Sequence, residues 1–142
     1  MIQGRAEYGV RALMYPVNSL KSVVIWLPVL PGHAFEGEHT RWAMDLNVRR
    51  WYPFGSTRHV IKSVPNIDRH HPLRNHYSIV VSKESDELST NQCVRSLSGL
   101  PHAGNVIVIR HAARCPLDVT HMPSNERTLV DLVVDRCESS HQ

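Results

Sequence analysis

The sequence predicts an α+β fold: a single domain over residues 1–142, with a mostly antiparallel sheet and helices packed on one face. Three observations support this. Short β-branched apolar runs at residues 23–27, 77–81 and 106–109 sit between prolines, glycines and polar loops, which is how strands read. Two later stretches, 88–97 and the segment after Ser124, instead carry apolar residues at helical spacing. The length, 142 residues, suits one core, and a chain of that size needs neither disulfide nor metal to fold.

Taken in order, residues 5–15 read as a short helix with Val10, Leu13 and Met14 on one side, stopped by Pro16. Residues 23–27 read as a buried strand. Residues 40–46 alternate, with Trp42, Met44 and Leu46 opposite Arg41, Ala43 and Asp45, the pattern of a half-buried strand. Tyr52-Pro53-Phe54-Gly55 is a turn, residues 59–64 another strand, and the proline-bounded stretch 65–72 a loop. After the strand at 77–81, Ser85 or Asp86 is placed to cap a helix over 88–97 that ends near Gly99 and Pro101. The run 106–109 follows Gly104 and is continuously apolar, as a central strand would be. Ser124 caps a final helix on which Leu129, Leu132 and Val133 recur up to Cys137. The expected core comprises Val24, Ile25, Ile79, Val81, Val106, Val108, Leu129, Leu132 and Val133.

Composition excludes several function classes. Cys93, Cys115 and Cys137 are odd in number and form no Cys-x-x-Cys pair, so neither a disulfide framework nor a zinc ribbon is indicated. The longest apolar stretch, residues 23–30, is broken by Pro28 and falls well short of the ~20 residues that span a bilayer. No phosphate-binding glycine loop, Gly-x-Gly-x-x-Gly or Gly-x-Ser-x-Gly is present. His33, Glu36, Glu38 and His39 crowd seven residues, but their order matches no helical zinc motif, so no metal or cofactor is expected. Reduced thiols and the lack of an Asn-x-Ser/Thr sequon fit an intracellular protein, cytoplasmic or nuclear, with no membrane association.

Charge carries the clearest functional signal. Residues 1–40 net zero and residues 77–142 net −2, whereas residues 41–76 hold seven basic side chains against Asp45 and Asp68, a net +5. Aromatic rings are interleaved there: Arg41-Trp42, then Arg49-Arg50-Trp51-Tyr52-Pro53-Phe54, then Arg58-His59. Guanidinium groups neutralise phosphates and ring faces stack on bases, which is what single-stranded nucleic acid requires. Equally, Trp42, Trp51 and Phe54 could belong to the core with the arginines solvating the opposite face.

Residues 106–116, Val-Ile-Val-Ile-Arg-His-Ala-Ala-Arg-Cys-Pro, resemble the signature of the histidine phosphatase superfamily. The resemblance implies a phosphoryl-transfer enzyme with His111 as nucleophile and Arg110 and Arg114 holding the phosphate. Ala112 stands where that family has glycine. The family's second histidine lies far downstream, and 26 residues follow Pro116, so His59 or His70 would have to fill the part. Residues 104–134 also resemble the ends of uncharacterised proteins of mushroom-forming fungi, which implies a eukaryotic intracellular protein and no particular activity.

The reading that results is a non-enzymatic binding module for an anionic partner, nucleic acid first. Its contacts are Arg41, Arg49, Arg50, Trp51, Arg58 and Lys62 within residues 41–76. A histidine-phosphatase-like enzyme using His111 and a protein-interaction domain are the alternatives.

Overall fold

The computed structural model describes residues 9–28, 40–41, 46–61, 75–83, 87–113 and 118–140, with backbone alone at 40, 41, 118 and 137–140. Among the described residues seven strands form one sheet: β1 (Gly9–Tyr15), β2 (Val23–Pro28), β3 (Thr40–Arg41), β4 (Ser56–Ile61), β5 (Tyr77–Ser82), β6 (Val106–His111) and β7 (Asp118–Thr120). The helices are α1 (Gln92–Ser98) and α2 (Arg127–Ser140). Strand order is β2-β1-β6-β5-β4, and every pairing between named strands is antiparallel. The α+β class and the antiparallel sheet therefore stand as the sequence predicts.

β6 is central and buried on both faces. Val106, Ile107, Val108 and Ile109 are each wholly inaccessible. Because neighbouring strand residues point oppositely, this strand needs cover on two sides. Val106 and Val108 join Leu13, Tyr15, Tyr77 and Ile79 under Cys93 and Val94 of α1 and Val130, Val133 and Val134 of α2. Ile107 and Ile109 join Val10, Ala12, Leu27 and Val80 on the other face, covered by Leu46 and Tyr52. Both helices thus lie on one face, and the 46–52 segment closes the other. Along one edge β6 is paired twice, by β1 at Val106–Val108 and then by β7 at Arg110 and His111.

Several elements differ from the sequence expectation, each for a physical reason. Residues 9–15 form strand β1 rather than the helix expected over 5–15, of which residues 5–8 lie outside the described part. β1 is an interior strand buried on both sides except at exposed Arg11, and its otherwise apolar residues have no period that separates strand from helix. β2 is an edge strand: Val24 is 49% exposed and only Leu27 is fully buried. The strand expected at 40–46 is seen as β3 and a bridging residue at Leu46, with 42–45 outside the described residues. β4 begins at Ser56, three residues earlier than expected, and β7 was not foreseen.

α1 starts later than expected because its cap is Asn91; Ser85 and Asp86, the expected caps, lie outside the described residues. Thr90 is still bridged to Ala103 in extended backbone. The Asn91 side chain is fully buried and makes three hydrogen bonds. Its Oδ1 accepts from the Val94 amide at 2.9 Å, while Nδ2 donates to the carbonyls of Tyr15 and Gly104, each at 2.7 Å. Gly99 ends the helix at φ 75°, a left-handed conformation that favours glycine. α2 is preceded by a 3-10 turn, Ser124–Glu126, in which Ser124 makes no capping bond. Its buried stripe is Val130, Val133 and Val134, one position on from the expected Leu129, Leu132 and Val133; Leu129 is 37% exposed.

A polar network fixes where α2 begins. Tyr77 Oη donates to Glu126 Oε1 at 2.5 Å, and Arg110 Nη2 pairs with Glu126 Oε2 at 3.1 Å. Tyr15 Oη donates to Asp131 on the next turn at 2.5 Å. Burial first, and then these carboxylate acceptors, raise the Tyr15 and Tyr77 hydroxyls above the ordinary tyrosine value; burial alone raises that of Tyr52.

Two predictions follow from this packing. Asn91→Ala should cost about 2–4 kcal/mol, since it removes a cap and strands two buried carbonyls. Asn91→Asp should cost at least as much, because a carboxylate would face those carbonyls. Urea unfolding with an unchanged slope would establish both, and a near-neutral Asn91→Asp would refute the assignment. Second, the unfolded chain ionises its tyrosines near pH ~10 while folded Tyr52 keeps its proton. The folded state then binds more protons, so stability is intact below pH ~10 and falls as pH rises, by about 1.4 kcal/mol per pH unit for Tyr52. Tyr52→Phe should remove this part of the slope between pH ~9 and ~11 in equilibrium unfolding, leaving the parts from Tyr15 and Tyr77, although it weakens the fold at neutral pH.

Candidate nucleic-acid interface

The segment covering the second sheet face also presents the basic residues. The segment is tied down at both ends: the Asn47 backbone amide donates to the Pro28 carbonyl at 2.7 Å, and the Tyr52 side-chain hydroxyl donates to the Val80 carbonyl at 2.7 Å. Between these anchors Arg49–Trp51 forms a 3-10 turn, with the Asn47 side chain accepting from the Arg49 amide at 3.1 Å. Gly55, at φ 91°, then reverses the chain into β4. The turn predicted at Tyr52–Gly55 is present, closed by a 3.1 Å bond from the Gly55 amide to the Tyr52 carbonyl.

Burial separates the aromatics that the sequence left ambiguous. Tyr52 is a core residue, Phe54 is exposed, and Trp51 is half-buried, packed against the second core. Arg49 and Arg50 are exposed, and the Arg50 guanidinium lies 5.5 Å from the centroid of the Trp51 ring, within cation–π range. Arg58 stands opposite Val80 in the β4–β5 pairing, and directly opposed residues share a face. Since Val80 belongs to the core under Tyr52, exposed Arg58 lies on the same sheet face as Arg49, Arg50 and Trp51. Partial burial lowers the Arg58 guanidinium from its ordinary value, yet arginine remains a cation. Arg41 lies in β3 without a described side chain, and Trp42 and Lys62 lie outside the described residues.

Beside the turn, toward the β2 edge, is a groove of about 630 Å³. Met14, Ile25 and Pro28 supply apolar surface, and Trp51, Arg50 and Asn47 line it from the turn. Trp26 also lines it, its ring stacked on His121 at a centroid separation of 6.0 Å. Nothing in the sequence marked a site role for Trp26 or Asn47, and its pattern placed Met14 on a helix face. Trp26 stood out in the sequence only as an aromatic inside an aliphatic strand, and no local pattern joins residues 14, 26 and 51.

The phosphatase-like residues are separated. Arg110 is on the helix side, paired with Glu126 and bonded through Nη2 to Asn75 Oδ1 at 3.3 Å. His111 projects to the opposite face, where its buried Nε2 lies 2.6 Å from Ser78 Oγ. The Asn75 amide nitrogen meanwhile donates to the His111 carbonyl at 2.9 Å. Adjacent residues within a strand cannot close on one phosphate, so the clamp that the resemblance implies is not formed by this pair. Arg114 and His70 lie outside the described residues, and His59 is exposed on β4. Among the described residues no cluster of histidine, cysteine and carboxylate is placed to hold a metal; His33, Glu36, Glu38 and His39 lie outside them. Nor is any described helix long and apolar enough to cross a membrane.

No protein-family model matches the chain, and neither a curated protein nor a solved structure does. The Ser78–His111 pair reads as a buried structural bond. Ser78→Ala should therefore lower stability by about 1–3 kcal/mol in urea unfolding, the cost of depriving a buried polar group of a partner. Unchanged stability would show that this hydroxyl does not support the imidazole.

Proposed function

We propose that this protein is a non-enzymatic binding module for single-stranded nucleic acid, working inside the cell, in the cytoplasm or nucleus. The observation that carries the reading is the sharing of one face by exposed Arg49, Arg50 and Arg58 with the half-buried Trp51 ring. Phosphates would be neutralised by the guanidinium groups, and a base would stack at Trp51 beside the apolar groove. Asn47, with an amide at the groove, offers a hydrogen-bonding edge for the base. β2 and β4 are the two ends of the five-strand path, four spacings of ~4.8 Å, so the face is roughly 19 Å across. That suits a footprint at the short end of the ~4–16 nucleotides typical of single-strand-binding domains.

Fluorescence anisotropy with a labelled oligonucleotide over a salt series tests this. Changing Arg49, Arg50 and Arg58 together to alanine should weaken binding and lower the slope of log affinity against log salt by up to about two. Exposed arginines contribute little to stability, so folding should persist. Trp51→Leu keeps apolar packing and removes the stacking ring, and should cost roughly 1–3 kcal/mol of binding. Salt-independent binding, or none at low salt, would sink the proposal and leave a protein partner as the occupant of this face.

A further inference from the structure

We propose a second, separate site: the cavity between the β1–β2 connection and the two helices binds a small organic monocarboxylate. The cavity measures about 300 Å³, at the lower end of the range for small-molecule pockets. It lies on the helix side of the sheet, away from the Arg49–Trp51 face, and does not depend on the nucleic-acid reading.

Charge defines the ligand's head. Lys21 and Arg127 both line the cavity, and among the described residues neither side chain has an ion-pair or hydrogen-bond partner. Asp131 also lines it, but its carboxylate already receives the Tyr15 hydroxyl. The lining therefore carries one uncompensated positive charge. Arg127 is moreover the first residue of α2, whose first turn holds no acidic side chain, and Glu126 just before it is already paired with Arg110. A cation at the positive end of a helix dipole is unfavourable by itself, and an anion beside it relieves both charges at once. A carboxylate fits between a guanidinium fork and an ammonium.

The remaining walls define the tail. Leu20, 66% exposed, and Leu97 contribute apolar surface, with the Cys93 side chain buried at the base. A short alkyl chain would cover what solvent now touches. A phosphate dianion would instead bring a second negative charge toward Asp131 and leave those apolar walls uncovered.

Hexanoate is the probe, with hexanol and inorganic phosphate as controls for charge and tail. Titration into the isotopically labelled full chain should shift the amide resonances of Lys21, Cys93, Leu97 and Arg127 saturably. Site-resolved mass spectrometry should show slower alkylation of Cys93 when hexanoate is bound. Hexanol and phosphate should each bind at least tenfold more weakly. The double variant Lys21→Gln/Arg127→Gln, altering two exposed side chains, should fold normally and lose hexanoate affinity at least tenfold. The proposal is overturned by equal binding of hexanol or phosphate, by unchanged affinity in the double variant, or by no saturable shift below about 10 mM.

Discussion

Everything in this fold answers to one constraint: a central strand with apolar side chains on both faces. Val106 and Val108 require a layer on one side of β6, and Ile107 and Ile109 require another opposite. Helices α1 and α2 supply the first. The second comes from no helix but from a short irregular segment whose Leu46 and Tyr52 reach down onto the sheet. A segment that buries only its two ends, Leu46 and Tyr52, leaves the turn between them facing outward, which is why Arg49 and Arg50 stand exposed beside a half-buried Trp51. The candidate interface is in this sense a by-product of covering β6.

Buried polar groups then determine how the layers register. Asn91 satisfies the first turn of α1 and two carbonyls from separate strands or loops, so the helix cannot slide without stranding all three. Glu126 receives Tyr77 and Arg110, and Asp131 receives Tyr15, fastening α2 to β5, β6 and β1. Apolar packing alone would tolerate small shifts; these bonds do not, because each broken pair leaves a desolvated polar atom. The same logic accounts for His111, whose imidazole is buried against Ser78 and serves the fold on the face opposite Arg110.

The two candidate ligand surfaces lie on opposite faces and differ in chemistry. One is a broad basic face with an indole and a shallow groove, suited to an extended polyanion. The other is a small, partly open cavity with one surplus positive charge, suited to a compact monoanion. Their separation by the sheet means that each can be altered without touching the residues of the other.

Much of the fold was legible in the sequence because strands at 77–82 and 106–111 and the last helix are marked by β-branched runs, helical spacing and punctuation. The turn at Tyr52–Gly55 and the stop at Gly99 were equally visible, since both rest on local backbone chemistry. What the sequence could not distinguish were elements whose pattern depends on neighbours. Apart from exposed Arg11, residues 9–15 are apolar on both sides because they sit between β2 and β6, and that erases the period that separates strand from helix. Val24 is exposed because β2 is an edge, a fact of strand order. The sequence alone determined the α+β class and the concentration of charge in residues 41–76. Tertiary structure alone decided that Arg58 joins Arg49, Arg50 and Trp51 on one face, and that Tyr52 is buried while Phe54 is not. Each of these depends on which residues lie opposite across the sheet, and strand pairing joins positions too distant in the chain for any local pattern to record.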